Sequence, residues 1–232
     1  MKHIPNFITS LNLASGFAAI VFLFNGYPVT ASWVILAAMV FDFFDGFASR
    51  ALNAYSDMGK ELDSIADVIS FGAAPGLIIY YYLSACTSSS VLTWKIIAYA
   101  VAAIFPVFAG LRLAKFNIDD TQKTTFKGLP TPAAALAVVT LVLSSAYSGS
   151  DTVKAFFASA PAIIIFSVII SGLMVTRIPL LSLKFHDLKF RGNEGRFLLI
   201  AVVLLIAVFL RFAGLPLIIP AYVTVSLVSL LF

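Results

Sequence analysis

Long apolar runs, unbroken by the alternation of a strand, leave this chain few ways to fold. Ile8 to Phe24 carries no charge, and comparable stretches recur to the end of the sequence. Of the 232 residues 61% are hydrophobic and only 11% charged, giving a mean hydropathy of +1.02. Those values exclude an ordinary soluble domain and indicate an integral membrane protein. Inside a bilayer only helices and closed barrels satisfy the backbone, and continuous apolarity selects helices. A crossing takes about twenty apolar residues, so the length allows about eight crossings with short loops and no separate soluble domain. An all-α polytopic membrane protein is expected, with 1–232 as a single membrane domain. The first run is too long, and too soon followed by others, for a removable signal peptide. Cys86 stands alone and is read as a small packing residue.

Helical segments are expected at about 6–26, 30–50, 60–83, 92–114, 130–147, 154–176, 196–212 and 215–231. Breakers mark the gaps: Gly26 with Pro28, CTSSS from Cys86, Gly128 with Pro130, SGSD from Ser148, and Gly214 with Pro216. With a cytoplasmic amino terminus, the inner side receives Lys2, Arg50, Lys60, Arg112, Lys115, Lys123, Lys127, Arg177, Lys184, Lys189, Arg191 and Arg196. The outer side receives only Lys95, Lys154 and Arg211. That bias predicts that both termini are cytoplasmic. The net charge of +4 then belongs to one face, where it orients the chain and attracts anionic headgroups, with no nucleic acid required.

The stretch Asp42–Asp67, DFFDGFASRALNAYSDMGKELDSIAD, puts four aspartates into this setting. It spans the end of the second helix and the start of the third, so all four lie near the inner surface. Asp42 and Asp45 are three apart and Asp63 and Asp67 four apart, which places each pair on one face of its helix. Gly46 and Gly59 lie on the same stripes and leave backbone open to a ligand, and Arg50 adds a guanidinium. Clustered carboxylates repel one another unless cations hold them, and hard oxygen ligands suit Mg²⁺ or Mn²⁺. Two such ions about 4 Å apart can clamp a pyrophosphate and stabilise a leaving phosphate. The plainer reading, helix-end aspartates that cap or pair with Arg50 and Lys60, suits one aspartate better than four.

These residues resemble the CDP-alcohol phosphotransferase family, whose signature is D-x₂-D-G-x₂-A-R-x₈-G-x₃-D-x₃-D. Asp42, Asp45, Gly46, Arg50, Gly59, Asp63 and Asp67 match it with every spacing kept, and Ser49 replaces the small alanine before the arginine. The resemblance implies a helical bundle with a binuclear metal site, in which Asp42, Asp45 and Asp63 are the principal ligands. It gives Asp67 two roles, as a metal contact and as general base on an acceptor hydroxyl. That hydroxyl attacks the lipid-side phosphorus of a CDP-lipid, and CMP leaves. In PNFITSLN, Pro5 suits a first helical turn. Asn6, Thr9 and Asn12 are polar groups that can cap the helix or bond one another, and the family likeness makes Asn6 and Thr9 nucleotide contacts. A homodimer is also implied.

Three further segments, ELDSIADVISFGAAP, LRLAKFN and FKGLPTPAAA, resemble the branch of the family whose acceptor is serine. The expected reaction moves the phosphatidyl group of CDP-diacylglycerol to L-serine and releases CMP. Arg112 and Lys115 share a helical face at the right membrane level and are expected to hold the serine carboxylate. Snorkelling bases at a helix end are the plainer reading. Gly128, Pro130 and Pro132 are read as turn chemistry. Glycerol 3-phosphate or inositol phosphate remains an alternative acceptor. A cation-coupled carrier is the alternative outside enzymology, since intramembrane carboxylates also line ion routes.

Overall fold

The structure, a computed structural model, describes residues 3–86, 92–118, 126–181 and 193–229. Its helices are α1 (His3–Phe24), α2 (Pro28–Ala51), α3 (Asp57–Asp67), α4 (Ala74–Cys86), α5 (Leu92–Ile118), α6 (Thr131–Tyr147), α7 (Asp151–Ala158) and α8 (Ala160–Val175), then α9 (Glu194–Leu205), α10 (Arg211–Gly214) and α11 (Ile218–Val228). A π-helical stretch, Val68–Ala73, joins α3 to α4 into one apolar span, Asp57–Cys86. Two short strands, β1 (Phe126–Lys127) and β2 (Pro179–Leu180), pair antiparallel. Lys2, Lys123, Lys184, Lys189 and Arg191, which contribute to the charge bias, lie outside the described residues.

Each of the eight expected apolar segments is helical, with differences in how they cross. Five described helices are long and apolar enough to span a membrane, and six if a bent pair counts as one span. That pair is the segment expected at 154–176, where α7 and α8 meet at 90°. Ser159 breaks the run: it is extended, its side chain accepts from the Ala162 amide, and Pro161 opens α8. Both are helix-start signals. Residues Glu194–Val228 form one strongly apolar helical run, but Gly195 and Ser229 come into contact. A straight helix would hold those ends about 50 Å apart. The chain therefore turns back, with Arg211 at φ 48° near the bend, and α9 packs on α11. This agrees with the two expected segments 196–212 and 215–231.

Lipid gives helices no hydrophobic reason to associate, so they pack through small residues and polar contacts. The buried residues of α1 are Pro5, Thr9, Asn12, Gly16, Ala19 and Leu23, a single stripe at helical spacing. Phe7, Phe17 and Phe24, off that stripe, are exposed, as a lipid-facing surface requires. At Gly16 a Cβ would stand 2.3 Å from Ser70 Oγ and 2.8 Å from Ser70 Cα, so only glycine admits the π-helical segment this close. On the other side of that span, Gly72 lies against Ala109 and Pro106, and Gly76 against the Ala102 carbonyl. Pro106 supplies no amide to Ala102 within α5, which leaves that carbonyl free for a close neighbour.

α6 fills the centre: from Ala134 to Ser144 every residue but Leu136 is buried. Its entry is fixed by Gly128, at φ +77°, where a Cβ would meet the carbonyls of Met174, Thr176 and Leu173. The Gly128 and Leu129 amides donate to Ile178 and Leu173 at 2.9 Å each. The opposite end of the bundle is aromatic. Trp33 Nε1 donates to Tyr147 Oη, and Tyr147 lies on Phe212.

Gly16→Ala should cost about 1–3 kcal/mol through overpacking. Gly110→Ala, which meets nothing within 4 Å, should leave thermal stability in detergent unchanged or slightly raised.

Candidate active site

α2 and α3 are joined by the short loop 52–56. Carboxylate oxygens of Asp42, Asp63 and Asp67 all lie within 4.8 Å of one another. Asp45 belongs to the same electrostatic cluster, within reach of Asp42, Asp63 and Asp67. Asp45 and Asp67 are buried, at 6% and 7% exposure, and Asp42 and Asp63 are half-buried. The tightest trio thus contains Asp67 where the sequence reading ranked Asp45. Asp45 turns instead toward Thr9, the Gly46 amide and Arg50.

The polar stripe of α1 meets this cluster rung by rung. Asn6 Oδ1 occupies the space above Gly59, 2.9 Å from where a Cβ would be. The Thr9 hydroxyl donates to the Pro5 carbonyl at 3.0 Å and lies within hydrogen-bonding reach of Asp45. Asn12 Nδ2 faces Asp67 Oδ1 at 3.5 Å, and Ser70 Oγ donates to the Asn12 carbonyl at 3.0 Å. Side chains of the same chain lie over both glycines. Asn6 fills the face of Gly59, and Arg50 Nη1 lies 3.6 Å from the Cβ position of Gly46. Ser56 caps α3 by accepting from the Gly59 amide at 3.0 Å. Lys60, a possible partner for the aspartates, donates to the Asn117 carbonyl at 3.0 Å. Asn117 in turn donates to Ser64, which ties the start of α3 to the end of α5.

Arg112 and Lys115 part company. Lys115 is exposed, whereas Arg112 is 8% exposed and points into the bundle. Its Nη1 donates to Thr131 Oγ1 at 3.3 Å, and its guanidinium sits near the Phe116 ring at 5.9 Å from the centroid. Asp67 and Tyr222 of α11 are both within its electrostatic reach. Tyr222 Oη donates to the Leu181 carbonyl at 2.9 Å, and Ser226 Oγ accepts from the Leu181 amide. The sequence reading missed the pairing of Asn12 with Asp67, and it missed Thr131 and Tyr222 as neighbours of Arg112. Only the polarity of Asn12 inside an apolar run signalled anything.

Oxygens of this cluster suit hard cations. Asp45 Oδ2 and Asp63 Oδ1 are buried with no hydrogen-bond partner. Carboxylates packed this way repel unless positive charge lies among them. The donor set is all oxygen, as Mg²⁺ and Mn²⁺ prefer. Arg50, near Asp45, and Arg112, near Asp67, add cationic donors for anionic groups.

A family model described as CDP-alcohol phosphatidyltransferase matches residues 2–176, which include all four aspartates and Arg112. The chain belongs to that family. It is 40% identical over 148 residues to a CDP-diacylglycerol–serine O-phosphatidyltransferase of Bacillus subtilis, covering 64% of this chain and 78% of the relative. An enzyme of the same name from Helicobacter pylori is 34% identical over 205 residues, 86% of this chain and 79% of that one. An archaetidylserine synthase of Methanothermobacter thermautotrophicus is 32% identical over 147 residues, 62% and 60% of the two chains.

Divalent cation should raise the thermal midpoint of the purified protein in detergent, since a ligand that binds only the folded state stabilises it. Asp63→Asn should lose most of that shift. An equal shift in the variant would remove Asp63 from the metal set.

Proposed function

We propose that this chain is a CDP-diacylglycerol–serine O-phosphatidyltransferase, with the acceptor alcohol seated between Asp67 and Arg112. The observation that carries this reading is a buried arginine within electrostatic reach of Asp67, a buried member of the carboxylate cluster. A buried guanidinium needs an anionic or acceptor partner, and serine brings a carboxylate together with a hydroxyl. The relatives' names support it. Their lipid portions differ, phosphatidyl against archaetidyl, while the serine portion is shared.

In this reading Asn6, Thr9, Gly46 and Arg50 bind the nucleotide and its phosphates, and Gly59 admits Asn6. Asp42, Asp45, Asp63 and Asp67 would hold two divalent cations, Mg²⁺ or Mn²⁺, whose charge offsets that of the diphosphate and of the departing CMP. Arg112 orients serine through its carboxylate. Lys115, at the rim, supplies attraction for the incoming anion rather than a contact. Asp67 accepts the serine hydroxyl proton as the serine oxygen bonds to the lipid-side phosphorus. The bond from that phosphorus to the oxygen of the CMP phosphate breaks at the same centre. Proton transfer of this kind contributes about 10²–10⁴-fold.

The basic residues support a cytoplasmic site. Arg50, Lys60, Arg112 and Lys115 gather at the aspartate end, while Lys95, Lys154 and Arg211 lie at or near helix starts or turns assigned to the other end. Both termini would then be cytoplasmic, and the family resemblance supports a homodimer.

Purified protein given CDP-diacylglycerol, Mn²⁺ or Mg²⁺ and each alcohol in turn should release CMP with L-serine and form a lipid bearing a free amine. CMP release with glycerol 3-phosphate or inositol phosphate alone would overturn the assignment. Asp67→Asn should lower turnover by about 10²-fold or more. Arg112→Ala should raise the KM for serine far more than the KM for CDP-diacylglycerol.

A further inference from the structure

Besides the carboxylate oxygens, two further buried polar atoms near Asp67 have no partner, and they are of opposite kinds. Asn12 is 0% exposed, and its Nδ2 faces Asp67 Oδ1, which leaves the acceptor Oδ1 unpaired. The carboxylate fixes that orientation, because turning the amide over would set oxygen against oxygen. Arg112 uses Nη1 on Thr131, and its Nε, a donor, is unpaired and buried. Native interiors rarely leave such groups unmet. Together they describe a ligand that offers a hydrogen-bond donor to α1 and an acceptor to α5, with a third group at Asp67.

Resting on the reading of the acceptor as serine, we propose that Asn12 Oδ1 receives the serine ammonium while Arg112 Nε takes the carboxylate. The alcohol is thereby recognised as a zwitterion, and its hydroxyl falls to Asp67. Glycerol 3-phosphate and inositol phosphate carry no cation for Asn12. Ethanolamine carries no anion for Arg112. A neutral amide is the right acceptor in this place, since a further carboxylate would add to the repulsion among Asp42, Asp63 and Asp67. Asn12 is held firmly in this position, because Ser70 bonds its carbonyl and Gly16, one turn along, packs directly on Ser70.

The test compares CMP release with L-serine, 3-hydroxypropanoate, which lacks the ammonium, and ethanolamine, which lacks the carboxylate. Wild type should prefer serine to either analogue by about a hundredfold or more, because a site left with unpaired buried groups rejects the ligand that fails to meet them. In Asn12→Leu the serine to 3-hydroxypropanoate preference should fall about tenfold or more, and the serine to ethanolamine preference should hold. Arg112→Gln should show the reverse. Each preference is a ratio within one preparation, so partial loss of folded protein cancels, and Asn12→Ala provides a smaller second variant. Equal loss with serine and 3-hydroxypropanoate in both Asn12 variants would overturn the inference, leaving Asn12 to hold Asp67 alone. Wild type that uses the two equally would also overturn it. Wild type that ignores serine altogether would sink the reading of the acceptor itself, a distinct result.

Discussion

Carboxylates on neighbouring helices in an apolar bundle drive those helices apart, and the architecture around Asp42, Asp63 and Asp67 is organised to resist this. Coulomb repulsion grows as water is excluded, while lipid supplies no hydrophobic force to press the helices together. α1 supplies the restraint. Asn6, Thr9, Asn12 and Gly16 occupy one stripe, and each meets a different level of the acidic site: Gly59, Asp45, Asp67 and Ser70. Thr9 and Asn12 offer hydrogen-bond donors to the acids, and the glycine at the end of the stripe lets the backbones approach closely enough for those side chains to reach.

Much of the site could be read from the chain because helical spacing converts sequence directly into a face. Asp42 with Asp45, and Asp63 with Asp67, had to project together, and the short loop between α2 and α3 had to bring the pairs to one level. Sequence could not say which face-mates stay together after packing. Arg112 and Lys115 are three residues apart, yet α6 and α11 close over the first and leave the second exposed. The partner of Asn12 lies 55 positions away, beyond any local pattern. Val68–Ala73 reads as ordinary helix by composition, and its π geometry, which shifts the register just after Asp67, has no local signature here. Such stretches are often found at functional sites. The break at Ser159 did carry a signal, a serine two residues before Pro161, which the surrounding apolarity outweighed.

The last helices lie beyond the family match, which ends at residue 176, but they are not remote from the chemistry. Tyr222 and Ser226 grip Leu181 at its carbonyl and its amide. Leu181 follows β2, which pairs with β1 at the head of the turn leading to Thr131, the residue bonded to Arg112. Variation in this terminal hairpin therefore has a mechanical route to the acceptor pocket.

Because the acidic helix ends meet at one end of the bundle, the proposed reaction would build its headgroups against one monolayer. A phosphate joined to a zwitterion crosses hydrocarbon very poorly, for the same reason that charge is costly there. In that reading the two monolayers differ at the moment of synthesis, and the product reaches the opposite one only by a separate crossing of the hydrocarbon.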